Sequence, residues 1–455
     1  MKAEANDLIR IPIEAFLIFA LSLPDGLNFG DNRFLSAWSI SSGLGYGAVF
    51  VQTDRKFRIV VLQRREDFVL VSAEYSDITS QKEAVRQLHA KLTESGVRLP
   101  LPSGLRRRKA LNNRSVQRHS QAFSELSDTI KYRGAYHTIA ELYLALPNPD
   151  DNFIRDFQGR GFNARIWELY LFACFKEQGC RVAQDYPSPD FEIKNGDKKA
   201  FVEAVTTNPT GPGSLNLQQT QLAPKDLIER VSGDMAARFA KTLRSKLQRN
   251  YAEKPHVEGY PFALAIADFS GGGTMLWSRE ALIAYLFGEM AQVIDTIEGK
   301  KAVPLPLGQL IGHPNIPAGL FKIPEMAGLS AIIFSNAGTL PKFQRMATQA
   351  GMPPALVSAR RIGALCDFTP GALMPIPFDL DTQSEEYKKL CGGKEFWSFE
   401  MEVFHNPNAA IPFEHELLPA ARHWFVKDGE IEYVSVFRNQ ILSSVTQFSI
   451  EMPTI

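Results

Sequence analysis

The chain has 455 residues, of which 45% are apolar and 22% charged, and its 50 basic and 50 acidic side chains cancel to no net charge. This composition excludes a wholly disordered chain, a collagen-like repeat and a membrane bundle. A nucleic-acid site would have to be a local basic patch, because the chain as a whole has no attractive field. The length suggests about three domains, or two large ones. The cysteines Cys174, Cys180, Cys366 and Cys391 form no CxxC pair, which fits a reducing, cytoplasmic setting.

Residues 11–23 are apolar enough to suggest a secretory h-region, but Pro12 and Glu14 interrupt them and no small-x-small cleavage site follows. No apolar window is long enough to predict a membrane span. Residues 1–100 read as a small α/β domain. The runs starting at Gly47, Phe57 and Phe68 are strand-like, and Ser80 opens a helix that ends near Gly96. Residues 101–160 form a basic connecting segment. It contains the run Arg106, Arg107, Arg108 and Lys109, a candidate contact for nucleic-acid phosphates, although four consecutive charges more often mark a solvated loop.

Residues 161–345 carry the sharpest pattern. Asn163 is a candidate N-cap and Gly179 a candidate stop for an amphipathic helix. Strands follow at 180–184, 190–193 and 200–205, and Asn195-Gly196 predicts a hairpin between the last two. Residues 209–213 read as a loop. A helix is expected over 224–251, a buried strand over 261–269, a helix from Ser278 to about Ile297 and a further buried strand over 331–335. Residues 346–455 lack clear periodicity and read as an irregular C-terminal extension. The predicted class is α/β, a mixed sheet flanked by helices.

Three carboxylates stand out in this segment. Glu168 lies on the first helix, Asp190 follows Pro189 at the start of the second strand, and Glu203 interrupts an apolar strand. Asp190 and Glu203 sit on a predicted hairpin, so their side chains can be neighbours. A charge in the setting of Glu203 costs several kcal/mol unless a metal or partner compensates it. Converging hard oxygens suit Mg²⁺ or Mn²⁺. The competing reading leaves Glu168 and Asp190 facing solvent and Glu203 on an exposed edge.

Glu168, Pro189-Asp190 and Glu203-Ala204-Val205, on helix, strand and strand in that order, resemble the core of the PD-(D/E)xK nucleases, the restriction-endonuclease-like superfamily. The resemblance covers about residues 150–345. It implies a divalent-metal phosphodiesterase acting on DNA or RNA, with Asp190 and Glu203 as metal ligands and Glu168 as the helix carboxylate. By analogy it also implies a role in prokaryotic restriction or anti-phage defence. Nucleic acid is then the expected partner, with a second copy of the chain or another protein as a further one. The family's motif lysine is absent, since Val205 occupies its place. A lysine from the following helix is the expected substitute. Lys241 ranks first, on a stripe with Arg238, Ser245 and Gln248, and Lys246 lies on another face. The alternative is a catalytically inactive nuclease fold that serves as a binding or scaffold protein.

Other features carry less. Gly271-Gly272-Gly273 has the context of a phosphate-binding turn but no GxxxxGK[ST] or GxGxxG pattern. Gly43, Gly45 and Gly47 lead into a strand. His405, His415 and His423 lack zinc-site spacing. Trp397, Phe399, Phe404, Trp424 and Phe425 read as core.

Overall fold

In the computed structural model, residues 7–113, 115–208, 228–271, 276–297, 299–352, 357–369 and 371–450 are described. The protein is a mixed α/β structure with several sheets flanked by helices.

The N-terminal region is a five-stranded antiparallel sheet in chain order, β1 (Leu8–Ile11), β2 (Arg33–Ile40), β3 (Gly45–Val51), β4 (Phe57–Arg64) and β5 (Leu70–Ile78). Its side chains alternate between two cores. Ala48, Phe50, Val60 and Leu62 pack with Phe16 and Ala20 of α1 (Ile13–Ala20). Val49, Ile59 and Val61 pack with Leu88 and Leu92 of α2 (Gln81–Glu94). The apolar stretch at 11–23 is therefore largely a core helix. Ser80 caps α2 as expected, accepting a 3.2 Å bond from the Glu83 amide. Gly47 has a packing role, because a Cβ there would come within 2.5 Å of Leu88 Cδ1.

The connecting segment holds α3 (Gln121–Asp128), α4 (Arg133–Ala145) and α5 (Phe153–Gln158), and leads into α6 (Phe162–Glu177). Helix α6 starts one residue before Asn163, with Gly161 as N-cap, and Asn163 bonds Asn208 instead. Gly179 takes the left-handed conformation that ends the helix, φ 81°.

The central sheet has eight strands in the order β19-β18-β17-β14-β9-β8-β7-β6. Strands β6 (Arg181–Ala183), β7 (Phe191–Asn195), β8 (Lys198–Thr207), β9 (Phe262–Asp268) and β14 (Ala331–Phe334) match the five predicted strands and share this one sheet. Strands β8, β9 and β14 are parallel, and β7 pairs with β8 as the predicted hairpin. Both faces are covered. Ala263, Ala265 and Ala267 meet α6, whose Trp167 Nε1 donates to the Ala265 carbonyl at 2.9 Å. Phe262, Leu264 and Ile266 face α7 (Ala236–Leu247) and α8 (Ser278–Phe287). Burial on both sides explains why β9 reads as continuously apolar.

Two expectations change. Helix α8 does not run on to Ile297. Gly288, at φ 70°, ends it, and an exposed hairpin follows, β10 (Glu289–Thr296) with β11 (Gly299–Pro306). β-Branched Val293, Ile294 and Thr296 suit a strand better than a helix. The short pair β12 (Gln309–Leu310) and β13 (His313–Pro317) comes next. The C-terminal stretch is also far from irregular. After α9 (Leu340–Gln349) come β15 (Val357–Leu365) and β16 (Ile376–Asp381), and later β20 (Ile441–Ile450), which together form a three-stranded antiparallel sheet. Strands β17 (Glu402–His405), β18 (Arg422–Lys427) and β19 (Glu430–Val434) extend the central sheet. They are too short for periodicity to reveal. Buried His405 Nε2 and His423 Nδ1 meet at 2.8 Å, and burial holds the two imidazoles down at about 3 and about 4.

A buried ion cluster joins the three-stranded sheet to α9. Glu395 is 2% exposed and meets Lys342 at 2.7 Å and Arg345 at 2.9 Å. Arg361 of β15 bonds Glu400 at 2.5 Å. Burial alone would raise the Glu395 carboxyl, but Arg345, Lys342 and Arg361 outweigh it and hold the group well below the usual range. A depressed carboxyl adds stability that is present above its unfolded pKa and lost as pH falls through the folded one. Glu395→Gln should cost about 3–5 kcal/mol at pH 7. The difference from wild type should shrink as the solution is acidified below the usual glutamate range, as read by urea unfolding at each pH.

Candidate functional site

Strand β7 begins at Phe191, which pairs with Val202, while β8 continues to Thr207. Asp190 therefore stands one step beyond the last pair, level with Glu203. Its carboxylate takes the place of a strand, and Oδ2 accepts the Ala204 amide at 2.7 Å. Glu203 is 4% exposed, on the same face of β8 as Phe201 and Val205, toward α7. Its Oε1 accepts from Lys246 Nζ and from the Tyr251 hydroxyl, each at 2.7 Å. Its Oε2 is buried with no hydrogen-bond partner. Glu168 reaches the same place from α6 and takes both nitrogen–oxygen bonds, 2.9 and 3.1 Å, from Arg165 Nη1. Arg165 also holds Asp150 at 2.7 Å and Asp156 at 2.9 Å.

Glu168, Asp190 and Glu203 line one open cavity of about 540 Å³, together with Arg165, Lys241 and Lys246. The sequence-predicted carboxylates thus come together with both candidate lysines. The order of the lysines changes. Lys246, in the last helical turn, makes the ion pair with Glu203, while Lys241 is exposed at the rim. Helical spacing places Cα atoms on faces, but a four-carbon stem carries the ammonium well off its own face. Val205, at the position where the resemblance expects lysine, is buried in the core beneath α7.

The electrostatics are those of crowded acids. Burial pushes the Asp190 carboxyl well above its ordinary value, and the carboxylates of Glu203 and Glu168 push it further. Burial also raises Glu168, against the pull of Arg165. Both groups would ionise more readily if a cation entered the cavity.

No family model, curated protein or solved structure matches this chain. The site is therefore read from its chemistry. Among the described residues no group of three or more His, Cys, Asp or Glu side chains stands ready to hold a metal. In particular, Glu168 is engaged with Arg165 and is not free to act as the third ligand. A two-carboxylate site does fit Mg²⁺ or Mn²⁺, which commonly take one or two carboxylates and fill the remaining positions with water and substrate phosphate. The unpartnered Oε2 of Glu203 and the destabilised charge of Asp190 are the features such an ion would relieve.

Arg165 and Tyr251 were not anticipated from the sequence. Arg165 had a visible signal in its i,i+3 spacing to Glu168. Tyr251 had none, because it reaches Glu203 only after the chain turns at Asn250, φ 50°.

The basic run is already engaged. Arg106 pairs with Asp151, and Arg107 pairs with Glu66 at 3.0 Å. Arg108 donates to the carbonyls of Leu146 at 2.8 Å and Pro147 at 3.3 Å. These three residues tie the segment to its neighbours, and Lys109 is exposed. Of the glycine turn, Gly272 and Gly273 lie outside the described residues, as do residues 209–227. Before the turn, buried Asp268 accepts from Thr207, Ser270 and Ser278.

Asp190→Asn removes a buried acid while keeping an acceptor for Ala204. Because the folded carboxyl is raised, wild type loses stability as pH climbs above the ordinary aspartate range. Without metal, the variant should melt about 2–4 °C higher at pH 7, as ~1 kcal/mol gives in large domains. The gain should fade toward pH 3–4.

Proposed function

We propose that this chain is a divalent-metal-dependent nuclease that hydrolyses phosphodiester bonds of DNA or RNA on a restriction-endonuclease-like core at residues 161–345. The observation that carries this reading is the meeting of Asp190 and Glu203 in one open cavity with two lysines. The element order supports it: helix α6, the β7–β8 hairpin, then parallel β9 behind a helix.

Asp190 and Glu203 would hold the ion. When bound, Mg²⁺ or Mn²⁺ supplies Lewis-acid polarisation of the phosphodiester and a more acidic water. The chain's own residues supply the remainder. Lys246 fills the electrostatic role of the missing motif lysine, since its ammonium sits on Glu203 and beside the cavity. Lys241 offers a second cation to the phosphate from the rim. A preorganised cation facing the charge that develops in the transition state is among the strongest single contributions to catalysis. Arg165 keeps Glu168 fixed and partly neutralised, which limits the repulsion that Glu168 adds to an anionic substrate.

A second reading rests on two contacts to one oxygen. Lys246 and Tyr251 already compensate Oε1 of Glu203, as a relic site retained for stability or binding would require.

Incubation of the purified protein with plasmid, single-stranded DNA and RNA, with and without Mn²⁺, separates the two readings. The nuclease reading expects Mn²⁺-dependent cleavage that is abolished in Glu203→Gln. It also expects Lys246→Ala to cut the rate about a hundredfold and Lys241→Ala to cut it less. Equal rates in wild type and both lysine variants would remove the helix lysines from the mechanism. If wild type cleaves nothing and Mn²⁺ does not raise its melting temperature, the binding or scaffold reading stands.

A further inference from the structure

Two further cavities share no lining residue with the carboxylate cavity. The smaller, about 90 Å³ beside β14, is walled by paired charges, Arg361 with Glu400 at 2.5 Å and Arg279 with Glu280 at 2.6 Å, so its charges need no ligand. The larger, about 340 Å³, lies where the N-terminal sheet and α1 meet the C-terminal end of α6, α9 and the segment around Lys394. Its walls are chiefly apolar: Leu17 and Leu21 from α1 and its end, Phe34 from β2, Phe50 from β3, Met346 from α9, and Phe396. Packed cores hold few voids bigger than a water molecule. Small-molecule sites span about 300–1,000 Å³ and combine apolar walls with a few polar groups.

One polar group in that wall lacks a partner. Among the described residues, Lys394 is the only buried or half-buried lysine whose Nζ has neither a hydrogen bond nor an ion pair. Its counterparts are answered, for instance Lys176 by the carbonyls of Leu23 and Pro24, Lys342 by Glu395, Lys246 by Glu203 and Lys254 by Ser188. Lys394 Nζ lies 5.3 Å from the centre of the Phe396 ring. Burial holds its ammonium below the ordinary value, against the opposing effect of the carboxylates of Glu177 and Glu14. Phe396, Glu177 and Glu14 all line the same cavity, which puts Nζ on the cavity side. A lysine desolvated in this way is more often the free amine, the form that acts as a nucleophile.

The charges around Lys394 select against an ionic ligand. An anion would approach Glu14 and Glu177 as well as Lys394. A cation would meet Lys394, and Glu177 already accepts from the amides of Trp397 and Ser398 and from the Ser398 hydroxyl, each at 2.8 Å. We propose that this cavity takes an uncharged, largely apolar aldehyde or ketone, and that Lys394 forms an imine with its carbonyl carbon. Nζ attacks that carbon, both of its protons pass to the oxygen, the oxygen leaves as water, and a C=N bond replaces the C=O bond. Glu14 lines the cavity without a hydrogen bond or ion pair among the described residues, so its oxygens are free to carry those protons. The site stands apart from the carboxylate cavity and does not depend on nuclease activity.

Reductive trapping on the full chain tests this. The protein is incubated with benzaldehyde, hexanal or glyoxylate in the presence of sodium cyanoborohydride, which reduces an imine to a stable secondary amine. Each modified lysine is then located by peptide mass spectrometry. The expected result is modification of Lys394 by benzaldehyde or hexanal at least tenfold faster than of the exposed Lys109 and Lys389. Glyoxylate, a charged aldehyde, should show no such preference. Lys394→Arg should remove the fast reaction. Leu17→Trp, which keeps the lysine and fills the cavity, should slow Lys394 at least tenfold. Should either variant fail to fold, the wild-type site map still decides. Lys394 reacting no faster than Lys109 and Lys389 with both apolar aldehydes overturns the proposal. So does an equal preference of glyoxylate for Lys394, or an unchanged rate at Lys394 in folded Leu17→Trp.

Discussion

Strand β8 outruns its hairpin partner, and the polar chemistry of the central sheet depends on that mismatch. β7 begins at Phe191, opposite Val202, so the far half of β8 has a strand on one side only. An amide exposed inside an α/β layer has to find an acceptor. Asp190 provides one for Ala204, and in doing so places its carboxylate beside Glu203. Had β7 continued two residues further, main chain would occupy the space and the cavity would close.

Covered faces make this gap the place where charge can collect. The sheet is packed by α6 on one side and by α7 and α8 on the other, with alanines toward α6 and large side chains toward α7. Side chains on such strands have no route to water except at strand ends. Glu203 lies in the run Phe201-Val202-Glu203-Ala204-Val205 and stays buried, 4% exposed, beside the cavity that the missing neighbour strand leaves. The surrounding groups then divide the compensation unevenly. Glu168 is neutralised by Arg165, Glu203 by Lys246 and Tyr251 on one oxygen, and Asp190 by a single amide. The least compensated acid is thus the one nearest the open gap, where an incoming cation gains most. That arrangement costs stability, because burial penalises the ionised form of each acid.

Much of the central segment was legible because its signals were local. The five strands and the Asn195-Gly196 turn follow from apolar runs and turn chemistry, and Gly196 has the positive φ, 61°, that such a turn needs. The carboxylates were legible for the same reason: a glutamate in an apolar strand is conspicuous. What escaped was long-range or short. β17, β18 and β19 reach the central sheet from beyond residue 400, in pieces of four to six residues that carry no period. The arginine run Arg106–Arg108 looked like a patch for phosphate because sequence does not show that Asp151, Glu66 and two helix-end carbonyls wait nearby. The choice between Lys241 and Lys246 failed for a related reason. Face assignment uses Cα positions, whereas an ammonium about 6 Å from its Cα goes where the nearest buried carboxylate is.

The cavities beside β8 and β14 differ in how their charge is arranged. At Glu203 the unpartnered group is an acceptor, and its neighbours are acids whose ionised form burial penalises. Beside Arg279 and Arg361 the charges are paired, Arg279 meeting Glu280 at 2.6 Å and Arg361 meeting Glu400 at 2.5 Å. The first opens to solvent and has a volume of about 540 Å³. The second is far smaller, bounded by strands and the N-terminus of α9, and the ion cluster around Glu395 stiffens its wall. The same covered sheet therefore carries an acid-rich cavity beside β8 and an ion-paired one beside β14, because each inherits the side chains of the loops and helices that finish there.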